Sequence, residues 1–213
     1  MRSKCTRRLI WIPVIHTEAD LGSLSARCED FYKHKIGAGK WEQNRKTVEE
    51  LWQIIRHEVS NLHLDYEKAR LYQDSLPSCG YEELIVRDMA KAGSQNHLLL
   101  LELMEKGAKL TGTESPELLK QEYELVWETL ESAHSDEKES VTDLRRERAN
   151  DILQMRDRYI AQRINDTLAN GETGLIFLGM LHSLEGLVAP DVPISILAGR
   201  KQGESNEPSL PKT

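Results

Sequence analysis

Two almost unbroken apolar stretches frame the chain. Residues 8–15 (RLIWIPVI) and 173–178 (TGLIFL) lack the alternation of a half-solvated strand, and they read as strands buried on both faces. Each is followed within a few residues by a histidine, His16 in IPVIHTEADLG and His182 in GLIFLGMLHSLEGL. Between them the apolar period changes. Trp41, Val48, Leu51, Trp52, Ile55 and Val59 recur at three- and four-residue steps and predict an amphipathic helix over 40–62. Leu24, Cys28, Phe31 and Tyr32 predict an earlier helix over 23–35, with Gly37 and Gly39 breaking the chain between the two.

The rest of the pattern alternates in the same way. Short strands are expected at 69–72, 108–111 and 192–197. Helices are expected at 81–92 and 95–106, divided at Gly93-Ser94 with Ser94 as the second N-cap. Ser115-Pro116-Glu117 opens a helix to residue 132, with a cap, a proline in the first position and an acid in the first turn. The polar segment 134–140 is expected as a solvent-facing turn, before a long helix over 141–170 that Gly171 stops. Strands alternating with helices predict an α/β fold, a mostly parallel central sheet of about five strands with helices on both faces. Residues 1–198 form a single α/β domain in this reading. Residues 199–213, with only Leu210 to dock, form a disordered C-terminal tail.

Composition narrows the function classes. The 213 residues suffice for one sizeable core, and 39% hydrophobic with 30% charged residues is ordinary for a globular domain. A formal net charge of -7 argues against a nucleic-acid partner, and the cluster Arg145, Arg146 and Arg148 reads as a solvated helix face. No apolar run approaches the ~20 residues of a membrane helix. The first apolar segment contains Pro13 and leads into His16, Glu18 and Asp20, so it reads as a strand rather than a secretory leader. The three cysteines, Cys5, Cys28 and Cys79, have neither disulfide-framework nor zinc-knuckle spacing, and a reducing cytoplasm is the expected location.

Ligands of open parallel sheets sit beyond the carboxyl ends of the strands. Four predicted strand ends carry polar candidates there: His16-Thr17-Glu18, Gln73-Asp74, Thr113-Glu114 and His182. Neutral imidazole at His16 and His182 suits metal ligation, general base work or haem ligation, and equally the hydrogen-bonded interior of a core. Glu18 and Asp20 either complete a metal site or cap the following helix, with capping favoured for Asp20. Glu114 either enters a cleft or sits as a favourable charge near the next helix start. Asp74, in Asp-Ser-Leu-Pro, reads first as turn chemistry. Arg156 lies within the row Ile152, Ile160 and Ile164, on the face that should meet the sheet. A guanidinium there needs a carboxylate partner or an anionic substrate. Asp157, about 100° round the helix, faces either the site or solvent. Arg87-Asp88 reads as surface, and Tyr81, Tyr123, Trp127 and Tyr159 as packing. The sequence contains no GxxxxGK[ST] loop, and GMLH at 179–182 is not a GxSxG elbow.

Three of these features together resemble the superfamily of TraB, ChaN, Tiki and erythromycin-esterase-like proteins. The first strand ends in a histidine-containing turn (PVIHTEAD), a late helix carries Arg-Asp before an alanine-containing apolar turn (MRDRYIAQRIND), and a strand then ends in Gly-x-x-His (LGMLH). The resemblance touches about a quarter of the chain. It implies a central sheet and a cleft lined by the two histidine motifs, a carboxylate and the arginine, with His16, Glu18, Arg156, Asp157 and His182 at matching positions. Members of the superfamily include metal-dependent peptidases, macrolide-ester hydrolases and haem-binding proteins.

The leading expectation is a hydrolase acting on a small molecule or peptide. In it His16 and His182 are metal ligands or base and acid, with Glu18 as a further ligand. Glu18 or Glu114 activates water, and Arg156 stabilises developing negative charge. The cofactor expected is a divalent metal (Zn, Mn or Fe). The alternatives are a non-catalytic haem- or small-molecule-binding protein using the same cleft, and a homo-oligomer docking through the 41–59 helix face. No membrane partner is expected.

Overall fold

The computed structural model of the protein describes residues 7–15, 17, 20, 25–132 and 139–197. Five strands form one all-parallel sheet: β1 (Arg8–Val14), β2 (Ala69–Gln73), β3 (Lys109–Thr111), β4 (Thr173–Gly179) and β5 (Ile194–Ile196). Their order across the sheet is β3-β2-β4-β1-β5, so the late apolar strand β4 lies at the centre, paired with β2 on one side and β1 on the other. Six α-helices stand among the described residues: α1 (Ser25–Ile36), α2 (Ala38–Ser60), α3 (Glu82–Lys91), α4 (Gln95–Glu105), α5 (Pro116–Ser132) and α6 (Glu139–Thr167).

The two long strands β1 and β4 are mostly apolar because both their faces are covered, and in β1, β2 and β4 successive side chains enter two different cores. Ile10, Ile12, Leu71, Leu175 and Phe177 meet Trp52 and Val59 of α2, Val86 of α3 and Leu99, Leu100 and Leu103 of α4. Leu9, Tyr72, Ile176 and Leu178 point the other way, onto Ile160, Ala161 and Ile164 of α6 and Leu168 just after it. The isoleucine row of α6 is therefore fully buried, and Arg156 within it is only 3% exposed.

Several boundaries differ from the sequence expectation. Gly37 (φ 86) separates α1 from α2, but Gly39 lies inside α2 rather than breaking the chain. Residues 134–138 of the expected turn lie outside the described residues, α6 spans Glu139–Thr167, and beyond its end the Glu172 carboxylate takes the Ala169 N–H (2.9 Å) and closes the turn into β4. Ser94 caps α4 as expected, its Oγ accepting from the His97 N–H. Tyr81, expected in packing, is the residue before α3 and is 67% exposed, and Tyr123, on α5, stacks on Trp127 but is 41% exposed. The tail 199–213, Cys5 and the start of the first predicted helix lie outside the described residues. No described helix is long and apolar enough to cross a membrane.

Candidate functional site

Because β3, β2 and β4 are neighbours, their carboxyl ends deliver Asp74, Glu114 and His182 to one place. Asp74 continues the β2 ladder, its N–H donating to the Phe177 carbonyl (2.8 Å), while its Oδ2 accepts the Gly179 N–H (3.0 Å) from the end of β4. Glu114 is fixed through its backbone. Its N–H donates to the Leu76 carbonyl, and its own carbonyl accepts the Ser78 N–H. Ser75 between them has φ 62, the one non-glycine residue with positive φ among the described residues. That sparsely populated conformation aims the Ser75 N–H at Glu114 Oε1 (3.2 Å) and its hydroxyl at Asp74 Oδ1 (3.1 Å).

Arg156, rising from α6, is surrounded by carboxylates. Its Nε and Nη2 grip Glu114 at 3.0 and 2.6 Å, Nη2 also donates to Asp74 Oδ1 at 2.8 Å, and Nη1 reaches Glu122 Oε1 of α5 at 2.5 Å. Burial alone would lower the guanidinium pKa, but Glu114, Asp74 and Glu122 outweigh it and raise it further. Burial pushes the Glu114 carboxyl above its ordinary value, against the opposing pull of Arg156.

Asp157, the next residue on α6, faces inward rather than to solvent. Its carboxylate holds His182 Nδ1 at 2.6 Å and the Ser183 N–H at 3.0 Å. His182 Nε2 then faces Asp74 Oδ2 at 3.6 Å. Burial would lower the imidazole pKa, but the bond to Asp157 and the proximity of Asp74 win and lift it to about 9. The result is one buried polar chain, Asp157–His182–Asp74–Arg156–Glu114, with Glu122 at its half-open end.

Asp74, Arg156 and His182 of this chain floor a cleft of about 600 Å³, with walls from Val14 at the end of β1 and Ile15 beyond it, Leu119 and Tyr123 of α5, and Leu153 of α6. Met180 and Leu181 form a lip beside His182 and are 75% and 85% exposed. Asp20 borders the same cleft, and the residues of the following helix start that it was expected to cap lie outside the described ones. Asp20 accepts from the Thr17 N–H and hydroxyl (2.6 and 2.7 Å) and binds the Ser94 hydroxyl, with His97 Nδ1 at 3.4 Å.

Of the residues singled out from sequence, Glu114, Arg156, Asp157 and His182 come together, whereas His16 and Glu18 lie outside the described residues. Asp74 was visible as a strand-end residue but reads as turn chemistry, and only the pairing of β2 with β4 gives it the central position. Glu122 carried no signal, since an acid in the second turn of a charged helix reads as solvated.

The donor set of Asp74, Glu114 and His182 suits a divalent metal, and one ligand atom from each lies within 4.8 Å of the others. The 3.6 Å between His182 Nε2 and Asp74 Oδ2 matches two ligands each about 2.1 Å from a common ion at an angle of roughly 120°. The carboxylate behind His182 Nδ1 is the usual outer support of a metal-bound histidine. Glu114 is the weakest of the three donors, because Arg156 and Ser75 already engage both of its oxygens. Comparisons of the chain with protein-family models, with characterised proteins and with solved structures return no match.

Proposed function

We propose that the protein is a metal-dependent hydrolase acting on a small molecule or peptide, as its resemblance to the TraB, ChaN, Tiki and erythromycin-esterase-like superfamily implies. The observation that carries this reading is the chain Asp157–His182–Asp74 opening onto the cleft at the strand ends. Each buried ion loses several kcal/mol of hydration, so so many charges gathered in one place do little for stability and point to chemistry.

In this reading Asp74 and His182 hold the metal, with Glu114 as the third donor. A divalent zinc, manganese or iron ion held there would supply Lewis-acid activation of water and of the scissile carbonyl. Asp157 fixes the ring so that Nε2 points at Asp74. Arg156 differs from the role first expected. Its N–H groups are already given to Glu114, Asp74 and Glu122, so it positions carboxylates and leaves little to offer a developing oxyanion. The acidic lining, with Asp20, Asp74 and Glu122, is also a poor match for the anionic propionates of haem.

The test is elemental analysis of protein purified without chelator, beside His182→Ala, with an ester and peptide screen of both. Near-stoichiometric zinc, manganese or iron, lost with hydrolysis in the variant, is the expected result. Metal-free protein, or hydrolysis indifferent to His182→Ala, overturns the reading.

A further inference from the structure

We infer that the cleft selects a substrate with an apolar body and a basic nitrogen, the nitrogen seated against Glu122 and Tyr123. This rests on the cleft being the hydrolytic site and concerns only which molecules enter it.

The walls set the body. Beyond the polar floor the lining is aliphatic, Ile15, Leu119, Val126 and Leu153, and the exposed Met180 and Leu181 extend it outward. A volume of about 600 Å³ suits a compact organic molecule or one side chain with its neighbours.

The charges set the head group. Among the described residues, the floor and its backing contain five carboxylates, Asp20, Asp74, Glu114, Glu122 and Asp157. Against them stand two cations, Arg156 and His182, and both are already enclosed by carboxylates. Apart from the metal that the hydrolytic reading places at Asp74 and His182, an anionic substrate would find no uncommitted cation among these groups, and away from that ion it would meet a negative field focused by low-dielectric walls.

A cation has a place to go. The Asp74 and Glu114 side chains are 4% and 0% exposed, but that of Glu122 is 37% exposed while Arg156 holds its Oε1. Tyr123, the next residue of α5, borders the same cleft and stacks on Trp127 with ring centroids 6.2 Å apart. An ammonium beside Glu122 thus also has an aromatic ring near it, the pairing that favours organic cations.

The experiment is calorimetric titration of the purified protein at neutral pH with phenylbutylamine, phenylbutanol and phenylbutanesulfonate, which share one body and differ in charge. The amine should bind tightest and the sulfonate weakest. Glu122→Gln, with circular dichroism to verify its fold, should weaken the amine about fivefold and leave the alcohol unchanged. Sulfonate binding equal to or tighter than amine binding overturns the inference, as does amine affinity indifferent to Glu122→Gln or no amine binding at all. These outcomes separate from those of the hydrolase reading. Metal and His182-dependent hydrolysis with the wrong charge order sink only the substrate class. The predicted charge order in a metal-free, inactive protein sinks only the hydrolase.

Discussion

Asp20 ties the segment after β1 to the head of α4, and replacing it measures that tie. Its side chain is 3% exposed. Burial works against its charge, yet hydrogen bonds from His97, Ser94 and Thr17 overcome this and hold the carboxyl at about 2 instead of 3.8. That displacement corresponds to ~2 kcal/mol of folding stability carried by the ionised form. The sign follows from the depressed value. The unfolded chain binds this proton more readily, so the contribution is complete above about pH 4 and drains away as pH falls through about 2. Asp20→Asn keeps the shape and removes the charge, so it should cost ~2 kcal/mol at neutral pH and roughly half as much at pH 3. Urea denaturation of both proteins across this range reads the difference directly. A double-mutant cycle with Ser94→Ala should show non-additivity, since the two side chains share a hydrogen bond. Equal stability at neutral pH, or a deficit that does not shrink toward pH 3, would refute the account.

Two further predictions concern the site and the loop that builds it. Arg156→Met leaves Asp74 and Glu114 buried without their cation and should destabilise the fold by ~3–5 kcal/mol in urea titrations; a loss below about 1 kcal/mol would show that the carboxylates take up protons or water at little cost. At Gly112 an added Cβ would lie 2.6 Å from the Ser78 Cα and 3.0 Å from the Pro77 carbonyl, backbone that cannot swing aside. Gly112→Ala should therefore cost ~1–3 kcal/mol, whereas Gly39→Ala, in α2 with nothing within 4 Å, should be neutral or stabilising by thermal melting.

The elements were legible because their signals are local. Continuous apolar runs mark β1 and β4, and the isoleucine row of α6 by itself places Arg156 on the buried face. The site was only half legible because its assembly depends on strand order. Periodicity does not say that β4 lies between β1 and β2, and without that order Asp74 is an aspartate in a turn. Glu122 depends on a still longer relation, the approach of α5 to Arg156, which leaves no trace in the residues around it. The boundary at Thr167 was missed for a similar reason, since the group that closes the turn after α6 is a side chain five residues further on, Glu172.

The central place of β4 also bears on how the molecule comes into being. Strands β1 and β2 do not pair with each other; each pairs with β4, the fourth strand to leave the ribosome. Until residue 179 has been made, the first strand and the β2–β3 pair have no common partner, and the sheet exists only as separate fragments. Such long-range closure slows folding. Insertion of β4 is also what brings Gly179 against Asp74 and carries His182 to Asp157. The step that joins the two halves of the sheet therefore also brings His182 into the polar cluster, and a chain cut before β4 lacks it.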